Sequence, residues 1–468
     1  MKFMSDEIFL GNSTASKLYS YAKTLPIYDY HCHLSAEEIY FDKKFYNLTQ
    51  LWLEGDHYKW RIMRAYGIEE EYITGKTDEY EKFYRFCCAM PSFIGNPVYH
   101  WAHLELKKYF GIELPLNESN AKIIWDKTEA MMKNGGYSAR QLIWKSNVYT
   151  VVTTDDPCDD LTYHKSIRLD RAPFKVLPCF RIDNVINVEN DGFAQYVLKL
   201  GKVGLTEIAD VRTLMKVLSS RFEYFIKCGC PSVDVSFGDF PLAEYDEEKA
   251  NVALIKALRS MPLTEEEISS YKFCILVNVC KMIKQKDRAL LLHVGVMRNC
   301  NVKLFRSVGA DAGGDSVGNP INIVGANRLF DTVEKACGMP KTMVFTLNPT
   351  AYYPIATLLG DYAGSGIKGK MQLGPAWWHC DHKEGIVDYL KTITTLGGLG
   401  LSNGMLTDSR SFTSYARHDY FRRILCTFIG EIIEKGEYPF EIESYEKLIA
   451  DVCYFNAKNY FISEVEEL

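Results

Sequence analysis

His31 and His33 stand one residue apart in "PIYDYHCHLS" (26–35), and the chain has only ten histidines. In an extended segment alternate side chains share a face, so both imidazoles point one way and Cys32 the other. Two imidazoles converging at the carboxyl end of an inward-facing strand suit a divalent metal. They would equally suit a pair of hydrogen-bonded core histidines, and a motif this short does not separate the two. Other strand ends tip the balance. "ALLLHVGV" carries His293, and "NGMLTDSRSF" carries Asp408 with Arg410 two residues on. Singly, such an Asp caps a turn and such a His packs in a core. Together, two imidazoles and a carboxylate form a three-ligand set that leaves positions open for water or substrate.

Positioning such a set needs several strands with their carboxyl ends on one rim. Eight short runs rich in β-branched and aromatic residues are present, at 27–31, 148–153, 174–180, 232–237, 289–296, 342–347, 370–374 and 403–408. Most are continuously apolar, as strands covered by helices are. Stretches with helical spacing alternate with them: "EEKANVALIKALRSM", "IVGANRLFDTVEKACG" with a Gly stop, and "SYARHDYFRRILCTFIGEIIEKGE". The alternation predicts an α/β chain folded as a (β/α)₈ barrel of the TIM type. Residues 36–145 are too many for one crossover. Their Tyr, Trp, Lys and Glu content and spacing predict a mostly helical insertion after the first strand. The division expected is 1–35 for the amino-terminal segment and first strand, 36–145 for the insertion, and 146–468 for the rest of the barrel.

The bulk numbers exclude several classes. Of 468 residues, 47% are hydrophobic and 24% charged, an ordinary globular balance. The net charge of -6 gives no basic footprint for nucleic acid. No window is apolar enough to span a bilayer, and the start lacks a signal core. The 14 cysteines have no repeated CxxC spacing and suit a reducing compartment. A cytoplasmic enzyme is expected, with no membrane partner. "GSGIKGKM" (364–371) fits G-x-x-x-x-G-K, but Met371 stands where a phosphate loop needs Ser or Thr, so it is a glycine-rich loop. "GADAGGDSVGN" (309–319) lacks dinucleotide-binding spacing.

"DYHCHL" with the late strand-end Asp resembles the amidohydrolase superfamily. "LWLEGDHYKWRIMRAYGI", "GNPVYHWAHLELKKYFGI", "TTDDPCDDL", "FTLNPT" and "GMLTDSRSFTSYARHDYFRRILC" resemble, more closely, the uronate (glucuronate) isomerases, over essentially the whole chain. The resemblance implies a distorted barrel and interconversion of D-glucuronate with D-fructuronate, and of D-galacturonate with D-tagaturonate, through a cis-enediol. It implies one divalent metal on His31, His33 and Asp408, zinc first, with iron, manganese or cobalt compatible. Asp408 would also carry the carbon-bound proton. His57 and Tyr58, from "GDHYKW", would handle the hydroxyl proton, and Arg410 would grip the hexuronate carboxylate with its planar fork.

His293 is either a fourth ligand or, the preferred reading, a hydrogen-bond donor to a substrate oxygen. Trp377 and Trp378, in "GPAWWHCDHKE", are expected to wall the cavity. His379 and His382 in that stretch form an HxxH that could hold a second metal, the less favoured option. Arg168, Arg181 and Arg298 are further cationic candidates, and Arg168 would reach a neighbouring subunit of a homo-oligomer. Two rivals stand beside the isomerase. A hydrolase on the same barrel would want a lysine ending the fourth strand or a histidine ending the sixth, and neither is present. A binding protein would have no use for Asp408 and Arg410 beside the histidines.

Overall fold

A computed structural model describes residues 3–462. Nine strands are present among them: β1 Ile27–Asp29, β2 Val148–Asp155, β3 Lys175–Arg181, β4 Ser232–Phe237, β5 Ala289–Val294, β6 Val296–Met297, β7 Ser316–Val317, β8 Lys341–Thr346 and β9 Met371–Leu373. Seven of them form one parallel sheet in the order β1-β2-β3-β4-β5-β8-β9, while β6 and β7 pair as a small antiparallel ribbon. Every residue of β4, β5 and β8 is buried, which explains their unbroken apolar runs. Helices such as Val211–Lys227, Glu265–Gln285 and Ile323–Cys337 cover the outer face.

The expected eighth strand, 403–408, does not form. The segment lies between β9 and β1 but makes no ladder with either. Two left-handed residues, Gly404 (φ 64°) and Asp408 (φ 46°), bend it. A Cβ at Gly404 would lie 2.1 Å from the carbonyl oxygen of Val452, so the close approach admits only glycine. Isolated bonds close the ring instead. Asn403 N–H donates to Gln372 Oε1 at 3.0 Å, Asp408 N–H to the His31 carbonyl at 3.2 Å, and His33 N–H to the Ser409 carbonyl at 3.0 Å. The outcome is a seven-stranded, distorted barrel.

The first strand is also shorter than expected. Its ladder ends at Asp29, so His31 and His33 lie beyond it, in a segment tied by Cys32 N–H to the Val152 carbonyl at 3.0 Å. Tyr28, Tyr30, Leu177, Leu291, Met343 and Phe345 pack together within the barrel, joined by Tyr454, Tyr460 and Phe461 from the carboxyl-terminal helices.

Between β1 and β2 the chain is helical, from Ala36–Tyr40 to Ala139–Lys145. Trp52, Phe83, Phe86 and Trp101 are buried within it. Helix His57–Ala65 starts where Asp56 accepts the backbone N–H groups of Tyr58 and Lys59 at 3.0 and 3.4 Å, which fixes the entry angle of "GDHYKW".

Candidate active site and metal centre

Three ligand atoms converge at the carboxyl rim. His31 Nε2 and His33 Nε2 lie 3.3 and 3.1 Å from the same oxygen, Oδ1, of Asp408. The left-handed φ of Asp408 aims its carboxylate back at the two rings, a strained conformation of the kind that clusters at functional sites. Two of the three groups are also held from outside. The His33 Nδ1 pairs with Thr154 Oγ1 at 2.8 Å, and Trp377 Nε1–H donates to Asp408 Oδ2 at 2.6 Å. Burial alone would push the Asp408 carboxyl up, but its bonds with His31 and His33 hold it well below the usual carboxylate range.

A second buried group adjoins the first. Asp234, in the middle of β4, lies 2.7 Å from His293 Nδ1 and 3.9 Å from His31 Nδ1. Arg181 Nη1 approaches its other side at 3.2 Å. Burial opposes ionising Asp234, yet Arg181, then His293 and His31, hold its carboxyl far below the normal range. An ionised carboxylate only accepts, so His293 donates Nδ1–H and its Nε2 keeps a lone pair. That Nε2 is buried and unpartnered. His31, Asp234 and His293 have the composition of a second metal group, but the Arg181 guanidinium already supplies the cation there.

Both groups open into one cavity of about 780 Å³. His57, Arg181, Arg298, Trp377, Trp378 and Arg410 line it. Trp378 meets the His57 ring edge-on at 5.2 Å. Tyr58 does not line the cavity: its ring stacks on His57 at 4.8 Å, its face meets the Arg417 guanidinium at 4.8 Å, and its buried hydroxyl has no partner. Burial lowers the His57 pKa and pushes that of Tyr58 well up. The cavity wall thus combines the Asp408 carboxylate, the His57 ring and three arginines, Arg181, Arg298 and Arg410.

A family model described as glucuronate isomerase matches residues 1–461. The chain belongs to the glucuronate isomerase family. A uronate isomerase of Caldanaerobacter subterraneus subsp. tengcongensis is 46% identical over 461 residues, covering 98% of this chain and 99% of that one. The solved uronate isomerase of Thermotoga maritima superposes with a TM-score of 0.93 at 30% identity, over 99% of this chain and 100% of that one. The glucuronate isomerase of Caulobacter crescentus shares the fold, with a TM-score of 0.90 at 24% identity over 98% and 96%.

Membership of the glucuronate isomerase family makes the chain an isomerase and sets aside both the hydrolase and the binding protein. Among the described residues no helix is long and apolar enough to cross a membrane. The HxxH histidines play local roles. His379 stacks on Trp378 at 5.3 Å with its Nε2 at 3.3 Å from the Asp315 carbonyl, and His382 accepts from Gly385 N–H to cap helix Lys383–Leu396. Arg168 lies outside the cavity, on helix Thr162–Leu169, its terminal nitrogens buried without partners. Asp234 and Thr154 escaped the sequence analysis. A lone carboxylate inside the apolar run "SVDVSF" was the available signal for Asp234; Thr154 had none.

Proposed function

We propose that the cavity interconverts D-glucuronate and D-fructuronate, and D-galacturonate and D-tagaturonate, with one divalent cation held by His31, His33 and Asp408. The observation that carries this is the shared approach of two Nε2 atoms to one Asp408 oxygen. The donor set fits: two imidazoles and a carboxylate, with His33 and Asp408 each oriented by an outside bond, form an open His₂–carboxylate site compatible with zinc, iron, manganese or cobalt. When bound, the cation supplies Lewis acidity that makes the C2 hydrogen of the open-chain sugar easier to remove.

Within the chain, Asp408 takes the C2 proton and returns it to C1 through a cis-enediol. His57, neutral through burial, takes the proton from the C2 hydroxyl and returns it to the C1 oxygen, while Tyr58, stacked on it outside the cavity, positions the imidazole in place of the proton-handling role the resemblance implies. Arg410 meets the sugar acid's carboxylate with its planar fork. His293 contributes a lone pair, so it accepts from a substrate hydroxyl, where the sequence alone had suggested a donor. Trp377 and Trp378 exclude water from one wall. The insertion, residues 36–145, provides the roof with His57. A cytoplasmic location and a homo-oligomer complete the proposal; Arg168, its terminal nitrogens buried within the chain, is not presented to a neighbouring subunit.

A coupled assay of the purified protein with D-glucuronate should show ketose formation that chelation abolishes and zinc restores. Absence of turnover by metal-loaded protein would remove the proposal.

A further inference from the structure

Arg410 faces the cavity, but one of its donors is already engaged. Its Nη2 donates to Asp311 Oδ2 at 2.8 Å. Arg298 Nη1 stands 3.6 Å from the other Asp311 oxygen, while binding Asp315 Oδ2 at 2.9 Å. Asp311 and both arginines line the same cavity. Asp311 therefore places a carboxylate between two guanidinium groups, the arrangement an arriving sugar carboxylate would adopt.

We propose that Asp311 is an anion-competing residue of the binding site, whose carboxylate holds the place of the ligand's own and yields only to another anion. This rests on the cavity being a hexuronate site. The physical reason is charge balance. A neutral sugar offers Arg410 no counter-charge and leaves the Asp311 contact in place, with Arg298 held by Asp315 besides, whereas a uronate exchanges one carboxylate for another. Asp311 thus competes with an anionic ligand and leaves a neutral one unaffected.

The exchange is local, because the segment carrying Asp311 is fastened independently of it. Arg61 Nη1 donates to the carbonyls of Gly313 and Asp315 at 3.1 and 3.0 Å, and Arg64 donates to the Ala312 carbonyl. Asn299 N–H donates to Asp315 Oδ1 at 2.7 Å, and β6 pairs with β7. Gly313 (φ 83°) lets this loop touch the insertion, since a Cβ there would lie 2.9 Å from the His57 carbonyl oxygen. Asp311 is itself left-handed (φ 55°), which projects its side chain out of the anchored loop. Arg410 has room to turn, as it also borders two adjoining cavities of about 280 and 620 Å³.

Calorimetric titration of the metal-loaded full-length protein tests this without requiring turnover. D-gluconate supplies the anion, and D-glucitol is its neutral counterpart. In Asp311→Asn, Kd for D-gluconate should fall about three- to fivefold, the worth of one partly exposed ion pair, with D-glucitol unmoved. Asp159→Asn, which removes a charge elsewhere on the cavity wall, should leave both unmoved. An unchanged Kd for D-gluconate, an equal fall for D-glucitol, or an equal fall in Asp159→Asn each overturns the proposal. A wild-type crystal with D-gluconate should show the Asp311–Arg410 contact broken, and an intact contact overturns it. Whether D-glucuronate is turned over is a separate measurement, so the isomerase reading stands or falls on its own.

Discussion

Asp29 and Thr407 meet across 378 residues of chain: the carboxylate of Asp29 accepts the Thr407 backbone N–H at 2.9 Å and its hydroxyl at 2.5 Å. On the other side of the same residue, Arg417 Nη1 donates to the Thr407 carbonyl at 2.9 Å. A buried carboxylate and a buried guanidinium therefore do what a strand ladder does elsewhere in the barrel, and the residue they hold precedes Asp408.

Replacing Asp29 with Ala strips two donors of their acceptor in a dry interior. Folding stability should drop by about 2–3 kcal/mol, with activity falling further because Asp408 loses its footing. Urea unfolding followed by circular dichroism measures the first effect. A midpoint equal to that of the wild type would show that the ring is closed by other means.

Asp408→Asn keeps the size and the Trp377 contact but removes the base and the anionic ligand. The expected loss in kcat is about 10²–10⁴-fold with little change in thermal midpoint. Steady-state assays at saturating D-glucuronate measure it, and undiminished turnover would exclude Asp408 from the mechanism.

Asp234→Asn should act at a distance. The amide no longer anchors His293 as a charged acceptor, leaves Arg181 with Asp183 alone, and removes the negative charge behind His31. Metal affinity or activity should fall about ten- to a hundredfold, as when other outer partners of ligands are removed. Metal retention during dialysis, compared with kcat, separates the two losses.

Asp155 gives the stability a pH dependence. Burial raises its pKa from 3.8 to about 7, although Thr153 donates to it. The folded state then holds a proton that the unfolded state has released, so this contribution is full below pH 3.8 and is lost as pH rises to about 7. Asp155→Asn should therefore gain stability relative to the wild type across that interval. Urea midpoints at pH 5 and pH 8 test it, and a constant difference between the two proteins would assign the burial cost elsewhere.

The sequence by itself determined the parallel α/β architecture, because strands buried on both faces must be continuously apolar, as β4, β5 and β8 are. It also determined the chemistry of the rim. Alternation puts His31 and His33 on one face whether the ladder ends before or after them, and no partner is needed to see it. The 403–408 segment reads as a strand yet forms none, since hydrophobic pattern does not register left-handed φ values at Gly404 and Asp408. Tertiary structure alone decided which distant groups balance one another. Asp234 against Arg181, Asp311 against Arg410 and Asp29 against Thr407 are pairings between separate segments. Charge and hydrogen-bond energies depend on distance and burial, and neither exists until the chain has closed.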